Sequence, residues 1–379
     1  MTGLESMFTA PAVDACLDDR AFLQAMLDTE AALAHACARA GLIPADHADR
    51  IAERCRAEHF DAASIGRRAI AHATPVVPLV EDLRGGVPES VRPSVHLGAT
   101  SQDIIDTALC RIANAATERI LATLTTVVDT LATLAGRHAA DVQIGRTLLQ
   151  QAEPTTFGLV CAGWMTGVAE AGVALEEARR ALAVQLGGPV GTRAAFGEHG
   201  TAIAADVAEQ LGLASPPLPW HGDRQRVVSL MTAAALAAGA LATIGRNGAL
   251  LAQTEIGELA EGEPGGSSAM PHKRNPARSV LVVAAAQQVP GLAATVLYGM
   301  AGEGQRGVGG WQAEAPTVRQ ALRLLGGAAE HASVLLDGLR VNVDRMRANV
   351  DNRPPNAPAV AEGLLAAART LIDRALEGR

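Results

Sequence analysis

The sequence predicts an all-α protein, and two features of its pattern support that class. Apolar side chains recur at helical spacing along most of the chain, whereas the alternation typical of strands is almost missing. Four long segments, near residues 101–137, 155–186, 224–261 and 276–302, are rich in alanine and apolar over much of their circumference. Helices of that kind need cover on most sides, so we expect a central bundle that other subunits complete.

The other segments are shorter. Two aspartates at positions 18 and 19 can cap a first helix, and Gly41 can close it. Five prolines then interrupt the chain up to about Arg92, which favours short helices. A glycine-rich break lies near 303–316. The last stretch, about 340–379, holds the sequence NRPPNAP and one amphipathic helix.

Composition excludes several classes of function. The chain carries 32 Lys+Arg against 40 Asp+Glu, a formal net charge of −8, and only 2% aromatic residues. It therefore lacks the basic footprint and the closely spaced rings of nucleic-acid binders, and we expect no nucleic-acid partner. The five cysteines are odd in number and form no CxxC, which argues against a disulfide framework or zinc knuckle and suits a reducing cytoplasm.

Neither a leader nor a membrane span is expected. The first residues include acidic side chains and have no basic flank before an apolar run, unlike a signal peptide. Residues 227–245 and 279–302 are uncharged and long enough to raise the question of a span, but both are dominated by small residues and contain Ser, Thr or Gln. Buried helices of a bundle fit them better. We expect a cytoplasmic protein with no membrane partner.

The richest polar segment is EPGGSSAMPHKRNP, residues 263–276. Two glycines loosen its backbone, and Lys273 and Arg274 concentrate positive charge in an acidic protein. Asn275 followed by Pro276 predicts the N-cap and first residue of a helix, whose free N–H groups attract anions. The segment indicates a lid over a small polyanion, although a solvated loop with ordinary caps explains the same residues.

A second segment is SVHLGATSQDIIDT, residues 94–107. Thr100 and Asp103 have the spacing of a capping box at a helix start. Thr100, Ser101 and Gln102 would then present side chains and amides to a carboxylate, and His96 could bind a substrate or move a proton. Taken alone, a capping motif with a structural histidine is the simpler interpretation.

Two further segments contain candidate polar residues. GRTLLQQAEPTTFG, residues 145–158, offers Gln151 and Thr155 ahead of a helix. PWHGDRQR, residues 219–226, offers His221 and Arg224. In isolation the first is an ordinary helix entrance and the second a surface turn.

Together these segments resemble the fumarase/aspartase superfamily. GSSAMPHKRNP matches its signature loop, GSSxMPxKxNP, over eleven residues, and HLGATSQDIIDTA and GRTLLQQAEPTTFG are similar to its first and second conserved blocks. Within that superfamily, four further features resemble the bacterial 3-carboxy-cis,cis-muconate cycloisomerases. They are DRAFLQAMLDTEAALA, the Gln pair at 150–151, PWHGDR and GGWQAE. The resemblance spans essentially residues 1–350.

The resemblance implies a three-domain, all-α fumarase/aspartase-like fold. Its parts would be an N-terminal helical domain at 1–100, a long central bundle for tetramerisation at 101–337, and a C-terminal helical segment at 338–379 that is shorter than in typical relatives. It also implies a homotetramer whose active sites are built from loops of three subunits.

The chemistry implied is proton movement at a carbon beside a carboxylate, through an aci-carboxylate carbanion, on a dicarboxylate or tricarboxylate. Ser267 matches the catalytic serine. Substrate ligands are implied at Thr100, Ser101, Gln151, Thr155, Lys273 and Asn275, and Arg306 resembles an arginine of the family. His96, Gln102, His221 and Arg224 complete our candidate substrate-binding set. We expect no cofactor, and no metal, because the sequence has no cluster of residues with ligand spacing.

Leu148 stands where lyases of this superfamily usually have a histidine. Since that histidine protonates an amine or water leaving group, the leucine argues against ordinary elimination and for lactonisation. The first hypothesis is therefore a cycloisomerase of protocatechuate breakdown. The second is a fumarate-releasing lyase acting on a substituted succinate, similar to adenylosuccinate lyase. The third is an inactive scaffold that keeps only the bundle.

Overall fold

Helices account for most of the structure, a computed structural model that describes residues 3–353 and 359–378. Within those residues the α-helices are α1 (Pro11–Leu17), α2 (Asp19–Arg39), α3 (Ala45–Arg54), α4 (Ala62–Ala69), α5 (Val76–Gly85), α6 (Ser101–Arg137), α7 (Phe157–Arg180), α8 (Gly200–Leu211), α9 (Gln225–Leu251), α10 (Ala277–Ala286), α11 (Val289–Tyr298), α12 (Gly310–Asp337), α13 (Val343–Asp351) and α14 (Leu364–Glu377). The all-α prediction is confirmed.

The first predicted helix is α2. The Asp18 side chain accepts a hydrogen bond from the Ala21 amide at 2.7 Å, which satisfies one of the free donors at the helix start. The helix ends at Arg39, and Gly41 follows with φ +73°, a left-handed conformation that glycine adopts without a Cβ clash. Capping signals therefore placed both ends of α2.

The long helices α6, α7, α9 and α12 pack together, and α10 and α11 join them. Small residues let the backbones approach closely. A Cβ added at Gly245 in α9 would lie 2.9 Å from the Ser279 oxygen of α10, and one at Gly327 in α12 would lie 1.9 Å from the Phe8 oxygen. Glycines at these two positions thus allow close backbone contacts within the core.

The structure corrects several helix predictions. The predicted helix at 276–302 is two helices, α10 and α11, with Gln287 and Gln288 between them and a proline in the first turn of α11. The predicted helix at 224–261 ends at Leu251. We named no helix between the break at 303–316 and residue 340, yet the 28-residue α12 begins within the break at Gly310 and contains Pro316. The glycines there end one helix and precede another.

Two small antiparallel sheets were also missed. Strands β1 (Val142–Thr147) and β2 (Gln150–Thr156) form a hairpin within the second conserved block, with an irregular register between Ile144 and Arg146. Strands β3 (Leu259–Ala260) and β4 (Arg340–Val341) pair just before the signature loop. Both sheets lie at connections of the bundle.

Helix length separates the conserved blocks within one chain. Thr100 precedes α6 and the hairpin follows it, so 37 helical residues, about 55 Å, lie between them. The hairpin is ion-paired to Glu258, eight residues before the signature loop begins at Gly266. We call the two ends of the bundle the Thr100 end and the Ser267 end.

The C-terminal part of the described chain returns to the Ser267 end. Helix α13 packs against β1, and α14 packs against α7 and β2. Residues 354–358 of the NRPPNAP stretch lie outside the described residues. The proposed division at residues 100 and 337 falls at the start of α6 and the end of α12, and it stays a prediction.

Four helical stretches are long and apolar enough to cross a membrane, by length and composition: Ser101–Arg137, Phe157–Arg180, Gln225–Leu251 and Ala277–Tyr298. Each buries only part of its apolar surface inside the single chain. Large exposed side chains on these helices include Val173, Leu236, Val280 and Leu297. These faces are uncovered in one copy of the chain.

Candidate active site

Backbone hydrogen bonds join the two ends of the signature loop, and the residues between those ends are largely exposed. Gly265 and Asn275 form an antiparallel bridge in which each amide donates to the other's oxygen at 2.8 Å. The Asn275 side chain also donates to the Gly266 oxygen at 2.8 Å. The intervening residues, with Lys273 and Arg274 among them, are largely exposed. The loop therefore has a hydrogen-bonded base and an exposed, positively charged tip.

Ser267 lies in this tip, and two backbone amides point at its hydroxyl. Ser267 Oγ accepts from the Met270 amide at 3.1 Å and from the Ala269 amide at 3.3 Å. Backbone N–H groups that surround an oxygen in this way stabilise negative charge on it. Lys273, six residues further along the same loop, is exposed and has no ion-pair partner among the described residues. The arrangement suits a serine that gains and loses a proton.

The helix start after the loop differs from the prediction. Pro276, not Asn275, occupies the N-cap position of α10. The buried Glu261 carboxylate accepts from the Arg278 amide at 3.0 Å and the Ser279 amide at 2.8 Å. These donors are therefore occupied by the protein's own carboxylate. The expectation that this helix start holds a substrate anion is wrong, and the loop's cations and amides remain for that role.

The hairpin carries the second conserved block to the Ser267 end. Gln151 is exposed, Thr155 is half-buried, and Thr156 caps α7 by accepting from the Leu159 amide at 3.2 Å. Leu148 and Leu149 form the turn, with φ of +52° and +63°. Leu148 is 96% exposed, so the tip touches little of its own chain.

A buried ion pair anchors the hairpin. Arg146 donates to both Glu258 carboxylate oxygens, at 2.9 and 2.7 Å, and Asn349 of α13 donates to the same carboxylate at 2.8 Å. Bidentate pairing of this kind fixes orientation as well as distance. The Glu258 carboxylate thus connects three parts of the chain: the hairpin, the strand before the signature loop and the C-terminal segment.

At the Thr100 end, the predicted capping box is present. The Thr100 amide donates to Asp103 Oδ2 at 3.0 Å. Arg306, from the glycine-rich break, donates to Thr100 Oγ1 at 2.7 Å. The structure thereby brings together two residues that are 206 positions apart in the sequence. Ser101 follows as the first residue of α6 and is half-buried.

Asp103 organises the loops around this helix start. Its carboxylate accepts from the Gly187 and Gly188 amides, both at 2.9 Å, and lies 2.7 Å from His221 Nε2. His221 also lines a cavity of about 140 Å³, which Trp311 helps to enclose. His221 is therefore held by a carboxylate at one nitrogen beside a small polar cavity.

Two other candidates at this end lie inside the protein. Gln102 is fully buried and donates to Asp106 and to the His221 oxygen. The buried Arg224 guanidinium pairs with Asp106 on one side and Glu314 on the other. These carboxylates raise the pKa of Arg224 despite its burial, which by itself lowers that pKa. Both side chains are buried, and Gln102 Oε1 makes no hydrogen bond within the described residues. The substrate-binding role predicted for Gln102 and Arg224 stays a prediction.

His96 is the remaining candidate. Its Nδ1 lies 2.6 Å from Oε1 of the buried Glu30, and its backbone adopts φ +61°. Like Thr100, it belongs to the segment between α5 and α6. The structure therefore places His96, Thr100, Ser101, His221 and Arg306 at one end of the bundle, and Gln151, Thr155, Ser267, Lys273 and Asn275 at the other.

Comparison with known proteins identifies the family. A family model described as "Lyase" matches residues 7–291. The chain belongs to this lyase family, the fumarase/aspartase superfamily. Its sequence is 42% identical over 354 residues to a 3-carboxy-cis,cis-muconate cycloisomerase of Pseudomonas aeruginosa, covering 91% of this chain and 77% of the relative.

Two further relatives of this superfamily are informative. A nitrosuccinate lyase of Streptomyces davaonensis is 43% identical over 354 residues, covering 89% of this chain and 74% of the relative. The crystal structure of a 3-carboxy-cis,cis-muconate lactonizing enzyme from Pseudomonas putida superposes with a TM-score of 0.87 and 36% identity, over 99% of this chain and 86% of that chain. The recognised resemblance and the fumarase/aspartase fold are confirmed.

The residues that sequence reasoning missed are mostly buried carboxylates: Glu30, Glu258, Glu261 and Glu314. Each holds a loop, a helix start or a cation of the candidate site. Their sequence surroundings are ordinary helix or loop, and the partners lie 17 to 112 positions away. A charged residue at an otherwise apolar helix position, such as Glu30 in α2, is the one signal that could have found them.

Proposed function

We propose that the protein is a 3-carboxy-cis,cis-muconate cycloisomerase. The observation that carries the proposal is the 42% identity to a cycloisomerase over 91% of the chain. The Ser267 hydroxyl, with two amides directed at its oxygen, supports the same assignment because lactonisation needs a proton donor whose anion is stabilised.

The reaction can be written with these residues. One substrate carboxylate oxygen forms a C–O bond to a double-bond carbon, and the π electrons move to the neighbouring carbon beside another carboxylate. That carbon takes the proton of the Ser267 hydroxyl. The resulting serine oxyanion is stabilised by the Ala269 and Met270 amides, with Lys273 supplying positive charge, and it regains a proton from solvent before the next turnover. Reversal of the same steps makes Ser267 the base.

The substrate carboxylates would be held by side chains from both ends of the bundle. Thr100, Ser101, His96, His221 and Arg306 would bind from one end, and Gln151, Thr155, Lys273 and Asn275 from the other. Because about 55 Å of α6 separates Thr100 from the hairpin, one chain cannot bring these groups to one substrate. We therefore propose a homotetramer whose sites are shared between subunits and whose contacts cover the exposed apolar helix faces.

The remaining expectations follow from this proposal. Apolar helix faces buried between copies leave a soluble protein, and the free cysteines, with burial raising the pKa of Cys37 to about 12, suit the cytoplasm. The three-part division at residues 100 and 337 and the pathway, protocatechuate breakdown, remain part of the proposal. The chemistry above draws on side chains and backbone amides alone.

The direct test is incubation with 3-carboxy-cis,cis-muconate while the absorbance of its diene is followed. Lactonisation removes the diene, so absorbance falls and a lactone with the same atoms accumulates. If the protein gives no such loss but turns over another fumarate-type substrate, the assignment is overturned.

The second candidate is a lyase that acts on a substituted succinate. The 43% identity to a nitrosuccinate lyase favours nitrosuccinate as that substrate. Such a reaction removes a proton beside one carboxylate and breaks the C–N bond, so nitrite and fumarate appear together. Leu148 and Leu149 offer no acid to a leaving group, but nitrite leaves as a stable anion and needs none. Nitrite release from nitrosuccinate, measured beside the diene assay, separates the two candidates.

A further inference from the structure

Two histidine–carboxylate pairs flank the start of α6, and they differ in how the carboxylate is satisfied. Asp103, the partner of His221, also accepts from three backbone amides. Glu30, the partner of His96, is fully buried, and its Oε2 makes no hydrogen bond within the described part of the chain. A buried carboxylate with a single partner interacts strongly with the charge of that partner.

His96 is held in a conformation that has a cost. A φ of +61° is uncommon for a residue with a side chain, and such residues concentrate at functional sites. Nδ1 faces Glu30, whereas Nε2 has no hydrogen-bond partner in residues 3–353 and 359–378, and the side chain keeps 15% of its surface exposed. One ring nitrogen is thus committed to Glu30, and the other is left for a ligand.

Three charged groups face this imidazole from the elements around it: Glu30 of α2, Asp103 of α6 and Arg84 of α5. Burial lowers the pKa of His96, but the charge and hydrogen bond of Glu30 raise it by more. The charge of Asp103 raises it further, and that of Arg84 lowers it. The net effect is a raised pKa, so the cationic form persists to higher pH than for a free histidine.

We propose that Glu30 is a positioning residue that holds the His96 imidazolium with its Nε2–H turned to a substrate carboxylate. Thr100 lies four residues further along the same segment, and Arg306 donates to its hydroxyl at 2.7 Å. We place His96, Thr100 and Arg306 together in one anion-binding patch at the Thr100 end. The identity of the carboxylate rests on the proposed function. The patch itself is made only by this chain's residues.

The test compares wild type with Glu30→Gln. Glutamine keeps an acceptor for Nδ1–H but removes the negative charge. The readout is the affinity for propane-1,2,3-tricarboxylate, an unreactive tricarboxylate, measured by calorimetry as a function of pH. Because the protonated histidine binds, wild-type affinity falls as pH rises through the pKa of His96. In Glu30→Gln that fall moves to lower pH by about one to three pH units, and affinity at neutral pH drops about tenfold or more.

Asp28→Asn is the matched control. Asp28 lies on the same helix and pairs with Arg111 at 3.0 Å, so its loss removes one carboxylate without touching His96. Its pH curve should match that of wild type. His96→Asn, which tolerates the left-handed backbone, should abolish the pH-dependent fall altogether.

The inference is overturned if the pH midpoint of the fall in affinity is the same in Glu30→Gln as in wild type. It is also overturned if wild type binds the tricarboxylate with no histidine-dependent pH effect, or does not bind it at any pH. If Glu30→Gln fails to fold, Glu30→Asp takes its place: the shorter side chain withdraws the carboxylate from Nδ1, so the fall in affinity should still move to lower pH, and an unchanged midpoint overturns the inference. Wild type that binds the tricarboxylate as described but does not lactonise refutes the proposed function and leaves this inference standing, because the measurement needs no turnover.

Discussion

The two ends of the bundle present their polar groups in opposite ways. At the Thr100 end, charged side chains are buried in pairs, with Arg224 between Asp106 and Glu314 and His221 on Asp103. At the Ser267 end, the candidate groups are exposed or half-buried, and Ser267 and Asn275 bond to the backbone of their own loop. The difference teaches that the polar groups at the Thr100 end are fixed by contacts within their own chain, whereas those at the Ser267 end make few contacts outside their own segment.

The largest effect on stability is expected from Arg224→Leu. The change leaves Asp106 and Glu314 buried without their cation, and breaking a buried pair in this way costs about 3–5 kcal/mol. The free energy of unfolding, measured by urea denaturation, should fall by that amount. Arg180→Leu is the control, because Arg180 pairs with Glu176 on an exposed helix face, where such pairs contribute about 1 kcal/mol or less. Equal losses in both variants would show that burial of the Arg224 cluster adds nothing to the stability of its ion pairs.

Ser267→Ala should show the reverse pattern. The hydroxyl accepts only from two amides in an exposed loop, so the free energy of unfolding should stay within about 0.5 kcal/mol of wild type. The lactonisation rate should fall by about 10²–10⁴-fold because the proton donor is gone. Ser268→Ala, its exposed neighbour, should keep the rate within a few fold. A Ser267→Ala variant with near wild-type rate would remove the serine from the mechanism.

The two ends can also be tested together by mixing subunits. Ser267→Ala and Arg306→Ala each damage one end. If a site takes Ser267 and Arg306 from different chains, equal co-expression leaves about one site in four with both intact, and activity returns. If both residues come from the same chain, no mixed site is complete and activity stays low. Recovery of rate in the co-expressed sample therefore decides whether the ends meet across subunits.

Sequence reasoning succeeded where the signal is local. The α6 capping box and both ends of α2 depend on residues within a few positions, and both were predicted. The α10 start was misassigned because Glu261, seventeen positions before Arg278, occupies its amides. The Asp106–Arg224–Glu314 cluster was not predicted, because Arg224 lies 90 positions from Glu314 and 118 positions from Asp106 in the sequence. Pairing across such distances is decided by how the helices pack, which periodicity does not report.

The missed hairpin shows the same limit and leads to the smallest expected effect. Leu148 and Leu149 occupy the two central positions of a two-residue turn with positive φ, where Asn-Gly is the usual signal. The left-handed conformation costs a side-chain-bearing residue about 1–2 kcal/mol, so Leu149→Gly should relieve strain. Glycine also loses more conformational freedom on folding than leucine does, and this offsets about 0.5–1 kcal/mol of the gain. A net stabilisation of about 0.5 kcal/mol is therefore expected, with slower exchange of the hairpin amides.

Leu218→Gly provides the matched control for that change. Leu218 is also an exposed leucine in a connecting segment, but its φ is not positive, so only the entropic loss applies. The free energy of unfolding should fall there while it rises in Leu149→Gly. If Leu149→Gly is destabilised as much as the control, the turn at the Ser267 end stores no strain, and its two exposed leucines are held there by contacts that a neighbouring subunit supplies.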